Sequence, residues 1–278
     1  MKTSIVLSVC LALAFVACGQ TPEERIKEYE QAHQAMLDEY GKTMDSLSSD
    51  REKAQAYYDE FVPKYISFNL DAAKKNPDND VAVQVLMNLR GLISDEQAAE
   101  IIAAMPAQML ENEQVAALKA GLDARLSTSE GKPFVDFTVN SVVGQTRSIP
   151  PQPKYAEVKL SDYVGKGKYI LLDFWSPWCG PCRREMPNIK AVYDKYKGDK
   201  FDVVSIAVWE REPAQVTIET AAKLNMTWNQ INNGGREPAQ LYGVEGIPHL
   251  ILFGPDGTIL KRGFHGAEIE EIVSSYLK

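Results

Sequence analysis

The apolar positions change their period twice along the chain. Residues 5–17 form one continuous apolar stretch behind Lys2, the pattern of a secretory signal and too short to span a bilayer comfortably. From residue 21 to about 128 the apolar side chains return at helical intervals. Thr21-Pro22-Glu23-Glu24 has the form of a capping box with proline in the first turn, and Ile26, Tyr29, Met36, Leu37, Tyr40, Met44 and Leu47 follow. A second helix opens at Ser49-Asp50-Arg51-Glu52, carries Tyr57, Tyr58, Phe61, Val62 and Tyr65, and is expected to bend at Pro63. After a turn at 76–80 come a third helix over 81–93, a fourth capped by Ser94 and Gln97 and running to Met105, and a fifth over 113–126. The aromatic stripe of the second helix is assigned to core, and His33 to a helix surface.

Residues 127–133 read as a linker, and beyond them the period shortens. Residues 134–139 alternate like a strand, Gly144 marks a turn, and 149–153 form a proline-rich loop. Residues 158–167 lead into 169–175, a nearly continuous apolar run that fits a central strand covered on both faces. A second such run covers 201–208, and the helical stretch between them makes a parallel βαβ crossover. A helix over 213–224, a loop at 232–235, a hairpin around Gly254-Pro255-Asp256-Gly257 and an amphipathic helix over 268–277 complete the chain. The expected architecture is therefore an α/β domain over 129–278, preceded by a signal at 1–17 and an all-α N-terminal domain over 18–128.

A length of 278 residues agrees with two domains, and a net charge of −8 argues against a nucleic-acid partner, which would need a basic face. The four cysteines change the picture more. Cys10 lies in the signal, Cys18 directly after it, and Cys179 and Cys182 sit three apart; no others remain to build structural disulfides. An exported chain with a single CxxC uses that pair for chemistry.

That pair stands in KYILLDFWSPWCGPCRREMP, residues 168–187: a strand, a Trp-Cys-Gly-Pro-Cys turn and the start of a charged helix. Gly180 and Pro181 suit a first helical turn, where backbone N–H groups are free and proline loses nothing. A thiol at that position has its pKa lowered by the same groups, and a second thiol one turn later is placed to attack a mixed disulfide formed by the first. Asp173 interrupts the apolar strand, and a carboxyl buried there has its pKa raised.

LLDFWSPWCGPC resembles the thioredoxin active site. CRREMP, the entry GKPFVDFTV to LSDYVGKGK and the later segments are similar to the membrane-tethered TlpA/ResA branch of that superfamily, over roughly residues 131–278. The resemblance implies a thioredoxin-like central mixed sheet flanked by helices, a redox-active Cys179–Cys182 disulfide, no cofactor and no metal. Its substrates would be protein disulfides or dithiols, served by a membrane electron donor or acceptor. It also implies roles for two acids: Asp173 matches the buried aspartate that accepts the second thiol's proton, and Glu185 matches a glutamate of the ResA-like pattern. Gly246-Ile247-Pro248 matches the cis-proline loop facing the cysteines, so Trp178, Pro181, Ile247 and Pro248 would line the substrate contact. Phe15-Val16-Ala17-Cys18-Gly19 resembles a bacterial lipoprotein cleavage box, with Phe15 in place of the usual aliphatic residue, and implies lipidation of Cys18 and an extracytoplasmic, periplasm-facing location.

Plainer assignments stand beside these. Asp173 would be a strand-edge acid paired with a lysine, Glu185 an exposed first-turn acid, His249 an ordinary strand residue and His265 a loop residue. A copper-delivery module is the alternative function, although relatives that carry copper use CxxxC with a distant histidine. A thiol peroxidase would need a Pro-x-x-x-Thr-x-x-Cys pattern that the residues before Cys179 do not form. The helical N-terminal domain is expected to dock a partner or act as a spacer.

Overall fold

A computed structural model of the protein describes residues 19–149 and 152–277; the signal segment, the lipidation candidate Cys18 and Pro150–Pro151 of the expected loop lie outside the described residues. The chain divides into two compact units, one ending at Val115 and the other covering Ala116–Lys278.

The first unit is helical, for reasons legible at each helix start. In α1 (Pro22–Ser46) the capping box closes: Glu24 N–H donates to Thr21 Oγ1 at 3.3 Å, and Thr21 N–H donates to Glu24 Oε2 at 2.9 Å. Asp50 caps α2 (Arg51–Lys75), Asn79 caps α3 (Asp80–Asn88), and Ser94 with Gln97 forms a second capping box on α4 (Asp95–Ala104). The third helix stops at Asn88, short of the expected 93, because the chain turns through Gly91 at φ +77°. A single turn, α5 (Ala107–Leu110), precedes α6 (Glu113–Ser127). The aromatic stripe of α2 meets α1: Tyr40 and Phe61 have ring centroids 4.3 Å apart, although Tyr58 is exposed. His33 is not a free surface residue. It is half-buried, stacks on Tyr29 and contacts Tyr65 Oη at 3.0 Å, because Tyr29, His33 and Tyr40 share the packed stripe of α1.

The second unit is built on a five-stranded mixed sheet whose strands lie in the order Asn229–Ile231, Phe201–Ala207, Tyr169–Trp175, His249–Phe253, Ile259–Arg262. β3 (Tyr169–Trp175) and β4 (Phe201–Ala207) run parallel across α7 (Gly180–Tyr196), as the crossover requires. β5 (Asn229–Ile231) extends the parallel edge after α8 (Ala214–Lys223). Beyond α9 (Glu237–Leu241), β6 (His249–Phe253) pairs antiparallel with β3, and the hairpin adds β7 (Ile259–Arg262) before α10 (Glu268–Tyr276). Alternation along β3 divides the core. Ile170, Leu172 and Phe174 enter one layer with Val204, Ile206 and Tyr242. Leu171 and Trp175 enter the other with Cys182, Met186 and Ile189 of α7 and Phe264.

Residues 134–137 are not the strand their alternation predicts. Tyr242 Oη accepts from Val135 N–H at 3.0 Å and donates to Val135 O at 2.7 Å, so one phenol takes both backbone groups that a ladder would use. The strand begins later, as β1 (Thr138–Gln145), runs through Gly144 with a bulge instead of turning there, and pairs with β2 (Pro153–Lys159).

The expected boundary at 128 also falls beyond the one observed, because Arg262 ties the end of α6 to the sheet. Its guanidinium donates to Thr128 O at 2.9 Å, to Thr128 Oγ1 at 2.7 Å and to Tyr242 O at 2.7 Å, and Thr128 is fully buried. A fragment covering 116–278 is therefore expected to be more stable in urea than one covering 129–278, by about 2 kcal/mol, the worth of charge-assisted hydrogen bonds lost from a buried site. Equal unfolding free energies would show that α6 contributes nothing to the second unit.

Candidate active site

The site grows from the end of β3. Ser176 Oγ donates to Val208 O, which ties the turn after β3 to the chain leaving β4, and Cys179 N–H donates to Ser176 O at 3.0 Å. Cys179 thereby becomes the N-cap of α7, with Pro181 in the first turn. The N–H of Cys182 points at Cys179 Sγ across 3.1 Å. The two residues are joined by a disulfide, with Cα atoms 5.3 Å apart. Cys182 is fully enclosed, whereas Cys179 keeps 3% of its surface in solvent. Once the bridge is reduced, the Cys179 sulfur is the one that both the free N–H and the helix dipole favour as an anion, and the one a partner can reach.

Around that edge the chain assembles a rim. The Ile247–Pro248 peptide bond is cis, as the sequence led us to expect, and Ile247 O lies 3.6 Å from Cys179 Sγ. Pro181, Arg184, Glu185, Pro248 and His265 line a cleft of about 330 Å³. On the opposite shoulder Trp178 is 39% exposed; its Nε1–H donates to Trp209 O at 3.0 Å, and the Arg211 guanidinium lies 4.0 Å over its ring. The structure thus gathers Trp178, Pro181, Ile247 and Pro248 around the cysteines, and adds Arg184, Trp209 and Arg211, which the sequence reading passed over, and His265, which it assigned only to a loop. Arg184 was legible as the residue one helical turn after Pro181. Arg211 follows from topology, since the loops at the carboxyl ends of adjacent parallel strands lie side by side.

Asp173 lies opposite Ser205 in the β3–β4 register and is fully buried, on the face that carries Leu171, Trp175 and Cys182. Ser205 Oγ donates to Asp173 Oδ2 at 2.8 Å, and Trp228 Nε1–H donates to Ser205 Oγ at 2.8 Å. Asp173 Oδ1 has no hydrogen-bond partner among the described residues. Burial pushes this carboxyl up to about 7; the Ser205 hydrogen bond opposes the rise and the negative charge of Glu185 adds to it. The acid is not lysine-paired: a serine hydroxyl stands where a cation would have held it ionised. Glu185 is likewise not an exposed first-turn acid. It is buried to 9%, and its Oε1 accepts from Asn188 Nδ2 at 2.8 Å and from Gly266 N–H at 3.0 Å. His249 packs its ring on Phe174, in the layer opposite Cys182, and burial beside Arg262 pushes it down to about 4. It is a strand residue that stays neutral.

Comparison with known proteins places this geometry. Residues 131–262 match the model of the AhpC/TSA family. A thiol-disulfide oxidoreductase ResA from Bacillus thuringiensis subsp. konkukian is 26% identical over 149 residues, covering 53% of this chain and 76% of that one. ResA from Geobacillus thermodenitrificans is 29% identical over 154 residues, covering 55% and 79%. The solved thioredoxin domain of a thiol-disulfide oxidoreductase from Bacteroides vulgatus superposes with a TM-score of 0.45 at 24% identity, covering 54% of this chain and 99% of that one.

The position of Asp173 sets a pH dependence of stability. With an ordinary value of 3.8 unfolded and about 7 folded, the native state holds a proton that the unfolded chain has released between those pH values. Stability therefore falls as pH rises through that window, and the whole cost is present above it. Asp173→Asn removes the ionisation and is expected to raise unfolding free energy at pH 8 by up to about 4 kcal/mol, with little change at pH 4. Urea titrations at the two pH values check this; the same difference at both would contradict it.

Proposed function

We propose that this chain, whose residues 131–262 match the AhpC/TSA family model, is a protein thiol–disulfide oxidoreductase that works outside the cytoplasm as a lipid-anchored reductant of protein disulfides. The observation that carries the reading is the placement of Cys179 and Cys182: one sulfur at the rim on the N-terminus of α7, the other enclosed behind it.

The Cys179 thiolate attacks one sulfur of a substrate disulfide. The substrate S–S bond breaks, its other sulfur leaves as a thiolate that takes a proton from water, and a Cys179–substrate disulfide forms. Cys182 then gives its proton to Asp173 and attacks Cys179 Sγ. The Cys179–substrate bond breaks, the second substrate sulfur leaves as a thiolate that takes, through solvent, the proton Asp173 had received, and the Cys179–Cys182 bridge closes with Asp173 ionised again. Two electrons and two protons have passed to the substrate, and a dithiol donor at the membrane returns the bridge to its open form. Asp173 suits the proton step because its side chain lies on the sheet face that carries Cys182, its Oδ1 is unpaired among the described residues and its pKa is near neutrality. Glu185, which borders the cleft, serves the solvent end of that exchange.

Trp178, Pro181, Ile247 and Pro248 form the contact surface, where an extended substrate segment lies along the Ile247 backbone. The Gly-Pro between the cysteines resembles that of thioredoxin, a reductant near about −270 mV, and this favours reduction over oxidation. Location rests on the sequence: the apolar segment 5–17 and Cys18 after Val16-Ala17 support export and lipidation. Among the described residues no helix is long and apolar enough to cross a membrane.

Reduction of insulin is the direct assay. Cys179→Ser is expected to abolish turnover, and Cys182→Ala to accumulate a mixed disulfide visible as a mass adduct. With Cys182 present, Asp173→Asn is expected to slow resolution of the Cys179 mixed disulfide by about 10²-fold, the usual worth of a positioned base, while leaving its formation intact. Turnover that survives Cys179→Ser would refute the mechanism. Cys18→Ala is expected to move the protein from the membrane to the soluble fraction of its native cell; identical partitioning would refute the anchor.

A further inference from the structure

The hydroxyl beside Asp173 is itself held in place. Ser205 is fully buried, and its oxygen has one hydrogen to give and two lone pairs. Trp228 Nε1–H occupies one lone pair at 2.8 Å, and the Ser205 hydrogen goes to Asp173 Oδ2 at 2.8 Å. Trp228 is anchored in turn: it is 5% exposed, and its ring packs on Tyr193 of α7, with centroids 5.4 Å apart. Three residues from three adjacent strand regions thus form one directed chain, Trp228 to Ser205 to Asp173, that ends on a carboxylate whose other oxygen has no partner among the described residues.

We propose that Ser205 and Trp228 are positioning residues for the resolving half of the exchange: by committing Oδ2 to the Ser205 hydroxyl they leave Oδ1 to take the exchangeable proton of Asp173, on the sheet face that also carries Cys182. The inference rests on the reading of Asp173 as the acceptor of the Cys182 proton. The charged group that acts on Asp173 is Glu185 of α7, and the disulfide cysteines of α7 pack on the same face. β4 sets Ser205 opposite Asp173, and β6 sets Leu250 there, so neither strand supplies a charge. The hydroxyl is therefore the only contact in the β3–β4–β6 register that discriminates between the two oxygens of the acid.

The chemistry is unchanged: Cys182 S–H loses its proton to Asp173 Oδ1, the Cys182–Cys179 bond forms and the Cys179–substrate bond breaks. What Ser205 and Trp228 set is the pH at which Asp173 can take that proton, and which oxygen takes it. Removing the hydroxyl withdraws a hydrogen bond from the ionised form, so ionisation moves to higher pH. Removing the indole N–H frees the hydroxyl to turn away and moves it in the same direction by less.

The test combines a direct titration with a rate. In the oxidised full-length protein, the Asp173 carboxyl carbon is followed by ¹³C NMR against pH in wild type, Ser205→Ala, Ser205→Thr and Trp228→Phe. The midpoint is expected to rise by about one unit in Ser205→Ala, the effect of one hydrogen bond to a charged group, and by less in Trp228→Phe. Ser205→Thr should keep the wild-type value, and the double variant should match Ser205→Ala. The pH profile for release of a leaving thiol from the Cys179 mixed disulfide should shift by the same amounts and lose that limb in Asp173→Asn. Trp228→Phe keeps its ring and remains a test if Ser205→Ala fails to fold. Unmoved midpoints in both Ser205→Ala and Trp228→Phe, with the limb still lost in Asp173→Asn, would overturn the positioning role and leave the exchange mechanism standing. A limb that persists in Asp173→Asn would remove the acid from the mechanism, and the positioning role with it.

Discussion

The start of α7 presents backbone N–H groups that no helical carbonyl can reach, and the Cys179 sulfur is set against them. Much of the second unit can be understood as holding that arrangement. The strand before it must be buried on both faces, so that the turn is fixed and the cap cannot drift; β3 meets this with a run of apolar residues between two neighbouring strands. The turn must be tied down, and Ser176 does so from one side while Trp178 is clamped by Trp209 and Arg211 from the other. The second sulfur must be enclosed, and Cys182, with none of its surface in solvent against 3% for Cys179, packs in one layer with Met186, Ile189 and Phe264.

Burial gives Cys179 its privilege and makes Asp173 costly. A carboxyl with no cation beside it is held protonated up to about neutral pH, and the fold bears this cost on the face that carries the thiol with a proton to lose. A cation beside it would have held the acid ionised. Serine satisfies one oxygen without fixing its charge. The cost to stability and the proton exchange proposed for Asp173 thus trace to one feature, a hydroxyl rather than a cation at its side.

The features legible in the sequence are those in which local pattern and tertiary demand agree. The run 169–175, the WCGPC turn, the helix after it and the Gly-Pro-Asp-Gly hairpin fall where they were read. So do the capping boxes at Thr21 and Ser94, since a cap is a contract between neighbours. What escaped depends on distant partners. Residues 134–137 alternate like a strand, but Val135 gives both its backbone hydrogen-bonding groups to Tyr242, more than a hundred residues away. β5 is three residues long and exists because β4 offers an edge. His33 looks like a surface histidine until Tyr65 of α2 packs against it. The division between units passes unseen because helical period does not say which body a helix packs on. One signal was present and unused: Ser205 is a polar residue inside a buried run, and such a residue needs a partner.

The central claim is that the two sulfurs are unequal, one activated and reachable, the other held in reserve. Alkylation of the reduced protein by iodoacetamide, mapped by peptide mass spectrometry across pH, measures this directly. The account predicts that Cys179 is modified first, with a midpoint below the ordinary thiol value of about 8.5, while Cys182 stays protected in the folded protein. Equal modification of both cysteines, with midpoints at or above that value, would contradict it.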